Sequence, residues 1–170
     1  MTAAALVMGY ASTAAMAAVG KSFGGVEHRI ELVRIKDGVK FYNDSIASSP
    51  SRTIAGLRSF PEQVILIAGG YDKHIPFDVL GPEVCQHVKK LYLTGATAQK
   101  IYDAVVSCPD YAQGSPEIFV IDDFTDTVHA AAAAAENGDV VLLSPACAAF
   151  DKFKNFMVRG KFFKKLVQEL

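Results

Sequence analysis

Residues 140–156 read Val-Val-Leu-Leu-Ser-Pro-Ala-Cys-Ala-Ala-Phe-Asp-Lys-Phe-Lys-Asn-Phe, an unbroken apolar run followed at once by small side chains. Small side chains let a ligand approach the backbone, and Phe150 and Phe156 are placed to wall it. Cys147 has no identifiable histidine partner, so it reads as a small core or loop residue rather than a nucleophile. Gly69-Gly70-Tyr71-Asp72-Lys73 has two readings. It is either a nest of backbone N–H groups that binds an anion beneath a lysine, or a Gly-rich turn with a solvated lysine. Asp44, in Asn43-Asp44-Ser45, can hold the hydroxyl pair of a ribose, although spacing alone favours a turn cap. His28-Arg29 has the character of a surface pair. His74, His87 and His129 lack metal-ligand spacing with one another or with the cysteines, so no metal site is expected.

Gly20-Lys21-Ser22 imitates the tail of a phosphate-binding P-loop, but the first glycine of that motif would fall on Ala15. No strand precedes it and Phe23-Gly24-Gly25 breaks the chain after it, so we read no P-loop there. Residues 1–24 are Ala-rich, with no basic residue before Lys21 and with Gly9-Tyr10 and Ser12-Thr13 interrupting the run. That argues against a secretory leader and against a membrane span. The expectation is two short helices, the second capped by Ser12 and closing near Gly20, left over from a neighbouring domain.

The elements that must position these groups follow from periodicity. Residues 30–35 and 39–42 alternate around Asp37-Gly38, a two-residue hairpin signal. Further strands are expected at 63–68, 90–94, 117–121 and 140–143. Helices are expected at 50–60 (with Ser49 before Pro50), 78–88, 97–107 and 125–136, and from Phe150-Asp151 to about Glu169. Strands alternating with helices indicate an α/β, Rossmann-like fold. Its sheet would be mostly parallel, of about six strands, with an antiparallel edge hairpin and helices on both faces. Loops 44–49, 69–74, 94–97 and 144–150 then gather along one rim, where ligands of open α/β sheets bind.

Composition narrows the class. At 170 residues, 51% of them apolar by a broad count, the chain can bury one core. A formal net charge of −1 gives no reason to expect nucleic acid or a membrane surface as partner. Three cysteines with no close pairing favour a reducing, cytoplasmic setting. Residue chemistry alone stops at an α/β domain binding a small anion.

Several stretches in order carry a resemblance: Gly25-Val26-Glu27-His28-Arg29-Ile30-Glu31, Tyr42-Asn43-Asp44-Ser45, Ile67-Ala68-Gly69-Gly70, residues 142–148, Phe153-Lys154-Asn155-Phe156 and Arg159-Gly160. Over essentially the whole chain these resemble the C-terminal domain of the Mur ligases, and among them the members that add D-glutamate. The resemblance implies domains at 1–24 (the end of a central ATP-binding domain) and 25–170. It implies a cytoplasmic, monomeric ligase of peptidoglycan synthesis. Such a ligase phosphorylates the L-alanine carboxyl of UDP-MurNAc-L-alanine with ATP and Mg2+, and the amine of D-glutamate then attacks the acyl phosphate. It places Lys73, Ser48, Ala149, Phe150 and Phe156 around D-glutamate, and Asp44, His28 and Arg29 towards the nucleotide.

Two departures stand out. Family members carry Asp-Ser-Lys-Ala-Thr where this chain has Asp44-Ser45-Ile46-Ala47-Ser48, and often serine where Ala149 stands. Either the carboxylate is held by other groups, such as Ser49 or Arg52, or the affinity is altered. No catalytic residue is assigned within these residues, because the P-loop and the lysine that organises magnesium belong to earlier parts of the family chain. The chain alone is expected not to turn over ATP. Two alternatives stay open: another Mur ligase or folylpolyglutamate synthase-type domain, and a stand-alone small-anion-binding α/β domain.

Overall fold

The computed structural model describes residues 9–112 and 114–170. Helix α1 (Thr13–Ser22) is capped by Ser12, whose Oγ accepts from Ala15 N at 3.2 Å. It buries no side chain and runs two residues past Gly20, so Gly20-Lys21-Ser22 is helical rather than a phosphate loop. The other expected helix of this region falls largely outside the described residues.

The rest alternates as expected. Strands β1 (Glu31–Lys36) and β2 (Val39–Asn43) form the hairpin. Then come α2 (Pro50–Leu57), β3 (Val64–Ala68), a 3-10 turn (Asp78–Leu80) running into α3 (Gly81–His87), and β4 (Val88–Leu93). The chain continues with α4 (Ala98–Val106), β5 (Glu117–Val120), α5 (Phe124–Ala133), β6 (Val140–Leu143) and α6 (Phe156–Glu169). One six-stranded sheet has the order β1-β2-β6-β3-β4-β5, with only β1 and β2 antiparallel.

The pleat explains the apolar runs. In β3, Val64, Leu66 and Ala68 turn to a core shared with Leu57, Leu80, Val84 and Ile101, while Ile65 and Ile67 turn to Phe124, Val128, Phe163 and Leu166 on the opposite face. All five β3 residues are buried, and each large one stabilises the fold by about 1.5–3 kcal/mol. Two-sided burial removes the alternation that a half-exposed strand would show.

Element ends shift by a few residues, and one shift is larger. The last helix starts at Phe156, not at Phe150-Asp151. Lys152 N and Phe153 N both turn back to Ala149 O, which sends Phe153 into the core against Phe124 (5.1 Å between ring centroids) and Phe162 (5.8 Å). Asn155 then restarts the chain as a helix, its Oδ1 accepting from Val158 N at 2.9 Å. Apolar spacing in Phe-Asp-Lys-Phe imitated a helix that the Asn cap postpones.

Strand β6 sits between β2 and β3 although it comes last in sequence. The carboxyl ends of β2, β6 and β3 are therefore side by side, and loops 44–49, 144–155 and 69–74 meet there. This reversal of strand order is the crevice where open α/β sheets bind ligands.

Candidate functional site

Four residues other than glycine in the turns near this crevice adopt left-handed backbone: His28 (φ 66°), Ile30 (φ 45°), His74 (φ 58°) and Ala146 (φ 59°). Such a conformation costs about 1–3 kcal/mol and is rarest for a β-branched residue such as Ile30. The surroundings hold it. Ile30 N donates to Asp44 Oδ1 (3.3 Å), and Ile46 N donates to His28 O (3.2 Å). Asp44 Oδ2 accepts from Ser144 Oγ at 2.8 Å, tying the end of β6 to the His28–Ile30 turn.

Asp44 is 4% exposed, and burial pushes its carboxyl up to about 6 despite the opposing bonds from Ser144 and Ile30. A carboxyl whose folded pKa exceeds its unfolded value of about 3.9 favours the fold in its protonated state. Its contribution is complete below the unfolded pKa and is lost as pH rises through about 6. We therefore expect Asp44→Asn, which carries no charge to desolvate, to gain about 3 kcal/mol on the wild type between pH 3.5 and pH 7.5. Urea unfolding of both proteins at the two pH values checks this. A constant difference between them would refute it.

His28 is 3% exposed. The Asn43 amide nitrogen, which can only donate, lies 2.9 Å from His28 Nδ1, so the ring proton sits on Nε2. Burial holds this imidazole below its ordinary pKa. Nε2 has no hydrogen-bond partner, and its nearest carboxylate oxygen, Glu27 Oε1, is 3.7 Å away. Glu27, His28 and Glu31 are the one metal-type grouping among the described residues. The Lys164 ammonium already bridges its carboxylates, 3.1 Å from Glu27 and 2.6 Å from Glu31. The cluster is an ion-pair network and does not suit magnesium.

The Gly69-Gly70 turn is not an anion nest. Gly69 N donates to Pro145 O (2.8 Å), Gly70 N to Thr97 Oγ1 (3.0 Å) and Tyr71 N to Ala148 O (2.9 Å), so all three N–H groups are spent inside the fold. Both glycines are needed for close packing. A Cβ on Gly70 (φ 147°) would stand 3.1 Å from Arg159 Nη1 and 3.2 Å from Cys147 Cβ. Cys147 lies 3.1 Å from Thr97 Oγ1, and burial pushes its thiol up to about 11, which suits a packing residue.

Beside this turn, Ser48 and Lys73 line one narrow cleft with Tyr71, Phe77, Ala146 and Cys147, its walls too close to admit a water-sized body. Phe150 is 60% exposed and meets Tyr71, one of the lining residues, edge to face (5.9 Å between centroids). Ala149 is buried at 2%, below the surface. Phe156 packs edge-on against His28 (5.9 Å), and its carbonyl accepts from Ser45 Oγ. A second cavity, of about 270 Å³, lies on the other side of the 44–49 loop and is lined by Arg29, Asp44, Ile46 and Arg52. The expected site residues thus divide. Ser48, Lys73 and Phe150 gather at the cleft, Arg29 and Asp44 at the cavity, and His28, Ala149 and Phe156 support the loops from beneath.

Arg159 entered the sequence reading only as part of the Arg159-Gly160 resemblance, with no role given to it, yet it joins these loops. It is 2% exposed. Its Nη2 donates to Ser45 O and Cys147 O (3.0 Å each), its Nη1 to Ala148 O (3.1 Å) and its Nε to Ser45 Oγ (3.1 Å). Burial without a paired carboxylate pulls this guanidinium down to about 10. The available signal was the neighbouring glycine inside a helix. A Cβ on Gly160 would lie 2.8 Å from His28 Cε1, so the helix there must press against another element.

Comparison with known proteins agrees with this geometry. The sequence profile of the Mur ligase glutamate ligase domain matches residues 28–147. The chain is 52% identical over 170 residues to the UDP-N-acetylmuramoylalanine–D-glutamate ligase of Clostridium novyi (strain NT), covering all of this chain and 37% of that protein. It is 51% identical over 159 residues to the ligase of the same name from Clostridium beijerinckii, covering 94% of this chain and 35% of that protein. The chain thus spans little more than a third of the length of these relatives. Among solved structures, a murein peptide ligase from Psychrobacter arcticus 273-4 superposes with a TM-score of 0.58 at 15% identity, over 90% of this chain and 31% of that one. A bifunctional folylpolyglutamate synthase/dihydrofolate synthase from Yersinia pestis, solved with AMPPNP and a Mn ion, gives 0.59 at 15% identity over 87% and 33%. At that identity these two speak for the fold. The profile match and the clostridial relatives carry the assignment: this chain belongs to the Mur ligase family, as its glutamate ligase domain.

Proposed function

We propose that this chain is the C-terminal domain of a cytoplasmic, monomeric ligase that uses ATP to join D-glutamate to UDP-MurNAc-L-alanine. Identity of about half to D-glutamate ligases over the full chain is the observation that carries this reading. Residues 1–24 then form the end of the central ATP-binding domain. Lys73 and Ser48 hold the amino acid once the walls of the cleft, which admit no water-sized body in the closed form, move apart, and Phe150 with Tyr71 flanks it. Arg29 and Asp44 face the nucleotide across the 44–49 loop, while His28, Ala149 and Phe156 shape the loops without direct contact.

The chain's own part in the reaction is alignment. An ammonium at Lys73 fixes a carboxylate, so the amine is presented to an acyl phosphate held elsewhere. Lys164 occupies the carboxylates of the Glu27–His28–Glu31 cluster, and on this reading magnesium is held by other domains of the complete ligase. Acyl-phosphate formation likewise requires groups that the chain's helical Gly20-Lys21-Ser22 cannot supply.

Two measurements test the reading. The purified 170-residue chain should release no phosphate from ATP, with or without both substrates. The complete ligase should release phosphate only when UDP-MurNAc-L-alanine and D-glutamate are both present, with L-glutamate inert. Turnover by the chain alone, or equal use of both glutamate isomers, would overturn it.

A further inference from the structure

The second cavity has an unusual charge balance. The chain has five arginines, and three of them are bonded within the fold. Arg34 donates to Val167 O and Gln168 O, Arg58 pairs with Glu83, and Arg159 holds the loops. The guanidiniums of the remaining two, Arg29 and Arg52, have no hydrogen bond or salt bridge among the described residues, and both residues line this one cavity. The nearby carboxylate, Asp44, is turned to Ile30 N and Ser144 Oγ and so pairs with neither guanidinium. Two exposed guanidiniums that feel Asp44 only at a distance and make no direct ion pair attract an oxyanion, and their planar forks suit phosphate. Arg52 lies here and not in the cleft with Ser48 and Lys73, so it does not replace the missing lysine as a carboxylate holder. Ile46 lies on the wall of the same cavity, which leaves that wall apolar and the charge on the first turn of α2.

We propose that Arg52, with Arg29 opposite, binds a phosphate group of the nucleotide, supplying from α2 the positive charge that Ile46 does not. This rests on the reading of the cavity as nucleotide-facing, and the test separates the two. In the complete ligase, Arg52→Ala should weaken ADP binding measured by calorimetry, and raise KM for ATP, by about tenfold. KM for D-glutamate should stay within about twofold. The exposed side chain makes no bond in the fold, so the unfolding midpoint should not move. Adding Ile46→Lys to Arg52→Ala returns an ammonium to the cavity and should restore ADP affinity. Unchanged ADP binding in Arg52→Ala, with weakened binding in Arg29→Ala, would overturn the assignment and leave the nucleotide-facing cavity standing. Unchanged binding in both variants would remove the nucleotide reading and this proposal with it. A rise confined to the D-glutamate constant would also overturn it, in favour of a carboxylate.

Discussion

Replacing Arg159 with methionine should lower the unfolding free energy by about 3–5 kcal/mol. Two effects compete. A buried guanidinium pays a heavy desolvation penalty, visible in its pKa being pulled down to about 10. Replacing buried ionic groups by apolar ones is often neutral when every partner is replaced as well. Here the partners are Ser45 O, Cys147 O and Ala148 O, main-chain carbonyls that no substitution removes. Each carbonyl left unpaired costs about 1–3 kcal/mol, so the loss outweighs the relief. Lysine keeps the charge but offers three donors on a flexible stem instead of a planar fork, so Arg159→Lys should fall between the two. Urea unfolding of the three proteins decides it. A methionine variant within about 1 kcal/mol of wild type would show that the loops are held by their own turns and not by the guanidinium. Because Cys147 and Ala148 wall the cleft, the same loss should loosen the proposed amino-acid site.

How much of this was legible depended on whether a signal was local. The strands were, because runs such as Val140–Leu143 are apolar at every position, as two-sided burial demands. Asp37-Gly38 likewise fixed the hairpin with both residues at positive φ. The start of the last helix was missed because Phe153 points into the core from a turn, at a spacing that imitates helical periodicity. The Gly69-Gly70 turn shows a deeper limit. Whether its N–H groups are free depends on Pro145, Thr97 and Ala148, which arrive from other loops. The role of Arg159 was illegible for the same reason, since its acceptors are more than ten residues away and all but Ser45 Oγ belong to the main chain. Asp44 was read as a turn cap or a ribose ligand. Beyond either reading, its carboxylate spans from Ile30 to Ser144, 14 residues before it and 100 after it. Sequence located the rim where the candidate residues gather, because topology collects loops there. It did not divide the candidates between cleft, cavity and support, because that division is made by long-range bonds.

The cleft yields the other large effect. In the complete ligase, Lys73→Ala should raise KM for D-glutamate by roughly 10- to 100-fold while leaving KM for ATP unchanged. Lys73 is exposed and has no carboxylate partner among the described residues. Its neighbour Asp72 would neutralise it, but Asp72 is engaged by Lys100 and accepts from His74 N at 2.7 Å. That engagement, chiefly the Lys100 bond, holds the Asp72 carboxyl below its ordinary pKa. Lys100 thus keeps Lys73 available at one remove, and a second variant tests the arrangement. Lys100→Ala frees Asp72 to compete for Lys73, so KM for D-glutamate should rise a few-fold, more at low salt than at high, because surface charge interactions are screened. Lys73→Ala should abolish that salt dependence. If Lys73→Ala changes only the ATP constant, the cleft is not the amino-acid site. If Lys100→Ala acts undiminished in a Lys73→Ala background, Asp72 is not what restrains it.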